Sequence, residues 1–362
     1  MNKRENLLSL LRREGYSYVP CEFQLSPPMI NRYKEKTRSE LHYMEYFDMP
    51  WRYVSDSFPF IPKEYVRTFG KYYDFDISRN CTVDVWGVYR GQGSDKTSHL
   101  FRTVHPLGRI ESMEELLSYP FPKVDESRLD MIAGEAASIK KSGLATVGSV
   151  QCTIWETAWY LRGMSELLMD MVDEDEKAVY LLNKITEIAI ERVKITAKAG
   201  VDILYLGDDV GTQRGLLMSE DMYTGWLKPL LKKVIDAARN INPDIIIIYH
   251  TCGYVKELIP HLIDAGIDVL NPVQPETMEF EEIHAAYGDK LSFCGTIGIQ
   301  TTMAFGKVVD VREAVHKNLR IAGAKGGLLC SPAHVLEPDV PWENVLAYSE
   351  ACKSFDVKKG FK

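Results

Sequence analysis

The chain has 362 residues, 45% of them hydrophobic, and a formal net charge of −8, enough length and apolar content for one large α/β domain. The acidic balance and the lack of a basic cluster exclude a nucleic-acid-binding role. No apolar run reaches the roughly 18 residues of a membrane span, and seven irregularly spaced cysteines suit reduced thiols in a cytoplasmic protein.

In chain order, Met1-Asn2-Lys3-Arg4-Glu5-Asn6 lacks the apolar core of a signal peptide. Residues 17–23, Ser17-Tyr18-Val19-Pro20-Cys21-Glu22-Phe23, have the composition of a first strand. Residues 48–125 are rich in aromatics, Pro and Gly, with β-like patches such as 83–89. They are expected to form an irregular insertion over one mouth of the fold, not a second domain. From residue 144 onward, strand and helix patterns alternate with short turns. Strands are expected at 144–150, 203–206, 245–249, 269–270, 291–294 and 327–330. Helices are expected at 156–171, 176–199, 219–240, 255–265 and 311–322, with Pro341 opening the last one. Such alternation implies βαβ units and a parallel sheet. With one or two upstream strands, the economical architecture is an α/β (β/α)8 TIM barrel, a single domain over residues 1–362.

In that fold chemistry sits at the carboxyl ends of strands, so strand ends give the candidate site. The run Ile245-Ile246-Ile247-Ile248 reads as a fully buried strand and ends in His250-Thr251-Cys252-Gly253. Imidazole and thiolate are preferred zinc ligands, but two of them one residue apart need a third from elsewhere. The last strand delivers Cys330-Ser331-Pro332-Ala333-His334. Either Cys330 or His334 is a possible third ligand; Cys330 lies on the apolar strand and His334 in the loop beyond it. The strand before 207 delivers Gly207-Asp208-Asp209-Val210-Gly211-Thr212-Gln213. Paired aspartates between glycines belong to a loop, where Asp208 or Asp209 can orient a ligand or substrate while the other caps a turn. Gln213, Asn271 and Gln274, with Gln151, Cys152 and Cys294, are expected to line a polar pocket, and Trp86 of the insertion to shield a flat ligand. His42, His99, His105, His261, His284 and His316 show no partner spacing and are read as surface or satisfied core. There is no dinucleotide fingerprint, phosphate-binding loop or serine-hydrolase elbow.

These strand ends, with Asn271-Pro272-Val273-Gln274-Pro275, Pro338 to Val345, Glu156 to Gly163 and the N-terminal Arg4 to Leu8, resemble successive signatures of the uroporphyrinogen decarboxylase superfamily. The resemblance runs through nearly the whole chain and implies a (β/α)8 barrel with its cleft at the strand carboxyl ends. It also implies one of two chemistries: cofactor-free decarboxylation of uroporphyrinogen, or zinc-assisted methyl transfer to or from a corrinoid protein. True decarboxylases carry an arginine-rich segment after the first strand that grips the substrate carboxylates. Here that stretch is Glu22-Phe23-Gln24-Leu25-Ser26-Pro27, with no arginine. The chain most resembles the corrinoid-linked branch in its His-x-Cys-Gly strand end. That branch completes its zinc site with a cysteine at the position that, aligned on Pro332, is His334 here.

The expected function is therefore a zinc-dependent methyltransferase. It would move a methyl group between a small thiol or methyl-ether substrate and methylcobalamin carried by a separate corrinoid protein. His250, Cys252 and His334 or Cys330 would hold the metal. The alternatives are a metal-free decarboxylase of the superfamily, using Asp208 or Asp209, and a non-catalytic ligand-binding barrel.

Overall fold

A computed structural model of the chain describes residues 1–58, 64–78, 81–91 and 102–361. Its strands in chain order are β1 (Trp51–Tyr53), β2 (Cys81–Val83), β3 (Tyr89–Gly91), β4 (Arg102–Val104), β5 (Ala145–Gln151), β6 (Ile203–Gly207), β7 (Ile246–His250), β8 (Val269–Asn271), β9 (Ser292–Cys294) and β10 (Leu328–Leu329). Seven form a curled parallel sheet in the order β1-β5-β6-β7-β8-β9-β10, and β2-β3-β4 form a small antiparallel sheet. From β5 on, helices separate successive parallel neighbours, as βαβ connections require. The architecture is the expected TIM barrel.

Two departures from the sequence reading matter for the site. The span read as insertion begins with a barrel strand, because Trp51–Tyr53 pairs in parallel with Ala145, Thr146 and Val147 of β5. Residues 17–23, expected as a first strand, make no ladder. Pro20 has no N–H to donate, and the segment instead wedges between the two edge strands. Leu25 bridges Leu336 on the β10 side, and Gln24 Nε2 donates to the Tyr53 hydroxyl of β1 at 3.3 Å. The buried Tyr348 hydroxyl lies 2.9 Å from the Glu22 carbonyl and 2.7 Å from that of Cys330, fastening the wedge to the last strand. An irregular eighth element thus closes the barrel.

The core follows from the apolar runs. Ile245 to Ile248 are all nearly inaccessible, as a central strand covered on both faces must be. The helix Glu176–Lys198 buries Leu181, Leu182, Ile185, Ile188 and Val193, a 3.6-residue periodicity turned towards the sheet. The expected helix at 156–171 is two helices, Trp155–Arg162 and Met164–Val172, broken at Gly163 with φ +99°. The small sheet packs near the first of these, where the Arg90 guanidinium lies 4.6 Å from the Tyr160 ring centre. Among the described residues no helix is long and apolar enough to cross a membrane.

Candidate active site

Register decides what reaches the barrel mouth. Gln151 of β5 lies opposite Gly207 of β6, Gly207 opposite His250 of β7, and His250 opposite Asn271 of β8, so four strand ends form one row. Gly207 permits this crossing, since a Cβ there would stand 2.6 Å from the His250 Cβ. Above the row opens a cleft of about 380 Å³, lined among others by Glu22, Trp51, Gln151, Cys152, Glu156, Tyr160, Tyr205, Asp209, His250, Asn271, Cys294 and His334. That volume suits a small molecule.

One hydrogen-bond chain orients His250. The Asn271 side-chain N–H donates to the Cys294 carbonyl at 3.0 Å, which turns its Oδ1 the other way. That oxygen accepts from the Tyr205 hydroxyl at 2.7 Å and lies 2.6 Å from His250 Nδ1. An amide oxygen only accepts, so Nδ1 carries the proton and Nε2 presents a lone pair to the cleft. Cys252 Sγ lies 3.3 Å from that Nε2. His334 joins from the loop after β10, and ligand atoms of His250, Cys252 and His334 all lie within 4.8 Å of one another. Among the described residues no other three His, Cys, Asp or Glu side chains converge this way. A tetrahedral zinc ion with ordinary bond lengths would hold nitrogen and sulfur about 3.6 Å apart, so the His250–Cys252 pair fits such an ion with little movement.

The loop carrying Cys252 is held by three consecutive backbone donors. Thr251 N–H donates to the Asn271 carbonyl at 2.7 Å, Cys252 N–H to Asp209 Oδ1 at 2.7 Å and Gly253 N–H to Gln274 Oε1 at 3.0 Å. Gly253 has φ +83°, which lets the chain turn away at once. Of the expected pocket residues, Asn271 lines the cleft and also braces the ligand loop, whereas the buried Gln274 is outside the cleft lining and only braces that loop. Gln213 is exposed, 3.4 Å from Gln274 Nε2, and does not line the cleft.

The paired aspartates separate. Asp209 lines the cleft, its Oδ1 3.7 Å from His250 Nε2. Asp208 points behind it, buried, and accepts from the Ile154 and Glu156 N–H groups at 2.9–3.1 Å, capping the helix Trp155–Arg162 from a neighbouring strand. The expectation for Cys330 is corrected likewise. It is fully buried with Sγ towards Thr296 Oγ1 and the Val315 carbonyl, outside the converging group, because the apolar strand turns it to the core. Trp86 lines a neighbouring cavity with Asp84, Arg90 and Arg192, not the cleft itself. Of the remaining histidines, His42, His105, His261 and His316 have local partners, and His99 lies outside the described residues.

Electrostatics narrow the chemistry. Burial pushes the Cys252 thiol well above the ordinary thiol range, and the Asp209 and Glu156 carboxyls push it further. A free nucleophilic cysteine needs electropositive surroundings, whereas these call for a cation. Glu156 is pushed up to about 7 by burial, then by Asp209 and Asp208. Its carboxyl accepts from the Tyr160 hydroxyl at 3.2 Å and the Asp209 N–H at 3.3 Å. Burial also pushes Asp208 up to about 7 and Glu22 up to about 8. The sequence reading did not single out Glu156 or Glu22 as site residues. An acid inside the apolar run Val19 to Phe23 is the signal that could have found Glu22, since carboxylates are almost never fully buried unless paired.

A family model described as uroporphyrinogen decarboxylase matches residues 103–355. The chain belongs to the uroporphyrinogen decarboxylase family. It is 22% identical over 248 residues to the methylated-thiol–coenzyme M methyltransferase of Methanosarcina mazei, covering 68% of this chain and 64% of that protein. It is 24% identical to the uroporphyrinogen decarboxylase of Chlorobium phaeobacteroides, over 52% of each chain. The decarboxylase of Legionella pneumophila is 26% identical over 73% of this chain and 72% of its own. The chain thus spans less than two thirds of the first two relatives. A solved methyltransferase from Methanosarcina mazei superposes with a TM-score of 0.68 at 18% identity, covering 97% of this chain and 98% of that one, a likeness of fold. For this member of the uroporphyrinogen decarboxylase family, the cleft has no Lys or Arg among the described residues that line it.

Proposed function

We propose that the chain is a zinc-dependent methyltransferase, moving a methyl group between a small thiol or methyl-ether substrate and a corrinoid carried by a separate protein. The observation that carries this reading is the convergence of His250, Cys252 and His334 within 4.8 Å, two of them, His250 and His334, lining the cleft. Three ligands leave a fourth position for substrate, the arrangement of catalytic zinc sites. When bound, the metal would act as a Lewis acid, lowering the pKa of a thiol or polarising an ether oxygen.

The residues divide the remaining work. Asn271 and Tyr205 fix the His250 tautomer, and Asp209 and Gln274 fix the backbone beside Cys252. Glu156, pushed up to about 7, is placed to take a proton from a thiol or return one to an alkoxide at a carboxylate oxygen. Trp51, Tyr160 and Tyr205 wall the cleft and exclude water from the transfer. Decarboxylation of a porphyrinogen gains no support from this cleft, because a polycarboxylate substrate needs clustered cations.

Metal analysis of the protein purified without added zinc tests the proposal. About one zinc per chain, lost in Cys252→Ser and in His334→Ala with the fold intact, is the expected result. A folded, active protein free of metal would overturn it.

A further inference from the structure

Two of the metal ligands, His250 and Cys252, enter the cleft from the side opposite Glu22, while His334 comes from the loop after β10 on Glu22's own side. The segment carrying Glu22 sits between β10 and β1, while β7 lies across the barrel, midway along the strand order. Glu22 is only 5% exposed, lines the cleft, and its Oε1 is buried without a hydrogen-bond partner. Beside it on β1, Trp51 is 1% exposed, lines the same cleft, and its indole N–H has no partner. A buried acid and a buried donor without partners, both on residues that line one cavity, are groups that a ligand settling against that wall could satisfy.

Charge specifies that ligand. The cleft carries the carboxyls of Glu22, Glu156 and Asp209, with no Lys or Arg among its described lining. Arg90 and Arg192 lie in the neighbouring cavity, already paired with Asp84 at 3.5 Å and Asp56 at 2.5 Å. A metal ion on His250, Cys252 and His334 would offset Asp209 and Glu156, which flank those ligands. Burial alone raises the Glu22 carboxyl, and no Lys or Arg of the described cleft lining stands beside it as a counter-charge. The rings of Trp51, Tyr160 and Tyr205 complete walls of the kind that take organic cations.

We propose that this wall of the cleft is a subsite for a small organic ammonium ion bearing an oxygen acceptor, with Glu22 as counter-ion and the Trp51 N–H donating to the oxygen. The inference rests on reading the cleft as the substrate site, and it makes the methyl-transfer substrate a cation rather than an anionic thiol or a polycarboxylate.

Calorimetric titration reads binding without turnover, so this proposal and methyl transfer fail separately. The probes are choline, its uncharged isostere in which carbon replaces nitrogen, and the anion isethionate, each against zinc-loaded and metal-free protein. Choline is expected to bind more tightly than the isostere, with isethionate weakest. Glu22→Gln is expected to weaken choline about tenfold or more, the effect of removing a desolvated counter-charge from a cation that has no N–H to donate, and to leave the isostere unchanged. Trp51→Phe is expected to weaken choline and isostere alike. Equal binding of choline and isostere, tighter binding of isethionate, no choline binding, or full choline affinity in a folded Glu22→Gln protein would each overturn the proposal. Should Glu22→Gln not fold, the choline-to-isostere ratio of the unmodified protein decides.

Discussion

Replacing each of the adjacent aspartates with alanine should produce opposite phenotypes. Asp208 accepts two backbone N–H groups at the start of the helix Trp155–Arg162. Asp208→Ala orphans both, and a buried unsatisfied donor costs about 1–3 kcal/mol. The Glu156 N–H is only partly buried, so the loss is about 2–5 kcal/mol. For a chain of 362 residues, the usual unfolding entropy per residue converts this into a fall of roughly 3–7 °C in Tm. Zinc content should be retained, because Asp208 touches no ligand side chain. Asp209→Ala should lower Tm less, since its carboxylate is 42% exposed, yet weaken metal retention and methyl transfer by freeing the Cys252 N–H. Differential scanning calorimetry with metal analysis on both variants checks this. An Asp208→Ala protein that melts like the parent while losing its metal would refute the division of roles.

Asn271→Leu removes the acceptor that fixes His250, so zinc affinity should fall about 10- to 100-fold, the usual effect of losing such a partner; competition with a chelator measures it. Cys330→Ala should keep full zinc content, because its sulfur faces the core, while costing about 1 kcal/mol of stability read by denaturant unfolding. Glu22 and Asp208 have folded pKa values raised to about 8 and about 7. The folded metal-free protein therefore holds protons that the unfolded chain has lost above about pH 4. Stability from these groups is present at low pH and falls as pH rises from about 4 to about 8, and Glu22→Gln should flatten the profile; urea unfolding between about pH 5 and pH 8 tests both.

The parallel strands were legible because covered strands must be apolar on both faces, and Ile245 to Ile248 can be little else. The row of strand ends follows from them, so His250 and Cys252 stand out in the sequence as candidates, with either aspartate of the Asp208–Asp209 pair and either His334 or Cys330. What stayed hidden depends on register and direction. Asp208 and Asp209 are chemically identical neighbours, and only the opposed directions of consecutive side chains send one to a helix terminus and the other to the cleft. Trp51–Tyr53 is a three-residue strand inside an aromatic-rich stretch, too short to show periodicity. Residues 17–23 had strand composition, but Pro20 and the position between two barrel edges made them a wedge. Cys330 and His334 are both possible ligands by residue type, and the difference lies in place: Cys330 follows directly on the buried last strand with its sulfur towards the core, while His334 lies in the loop beyond it.

The electrostatic asymmetry of the cleft links the two proposals. Near Cys252, burial first, then Asp209 and Glu156, hold the thiol neutral in the absence of a cation, so loading a metal there must expel the thiol proton. At the opposite wall Glu22 stays protonated near neutral pH, pushed up to about 8 by burial. A cationic substrate arriving beside it must likewise displace a proton. Each negative charge is thus formed only when its cation arrives, and the empty cleft avoids holding unpaired buried charges that would cost several kcal/mol apiece. A cleft built this way discriminates by charge before shape. An anionic substrate would gain nothing from Glu22 and would meet Asp209 and Glu156, whereas a cation gains a counter-ion that does not exist until it binds.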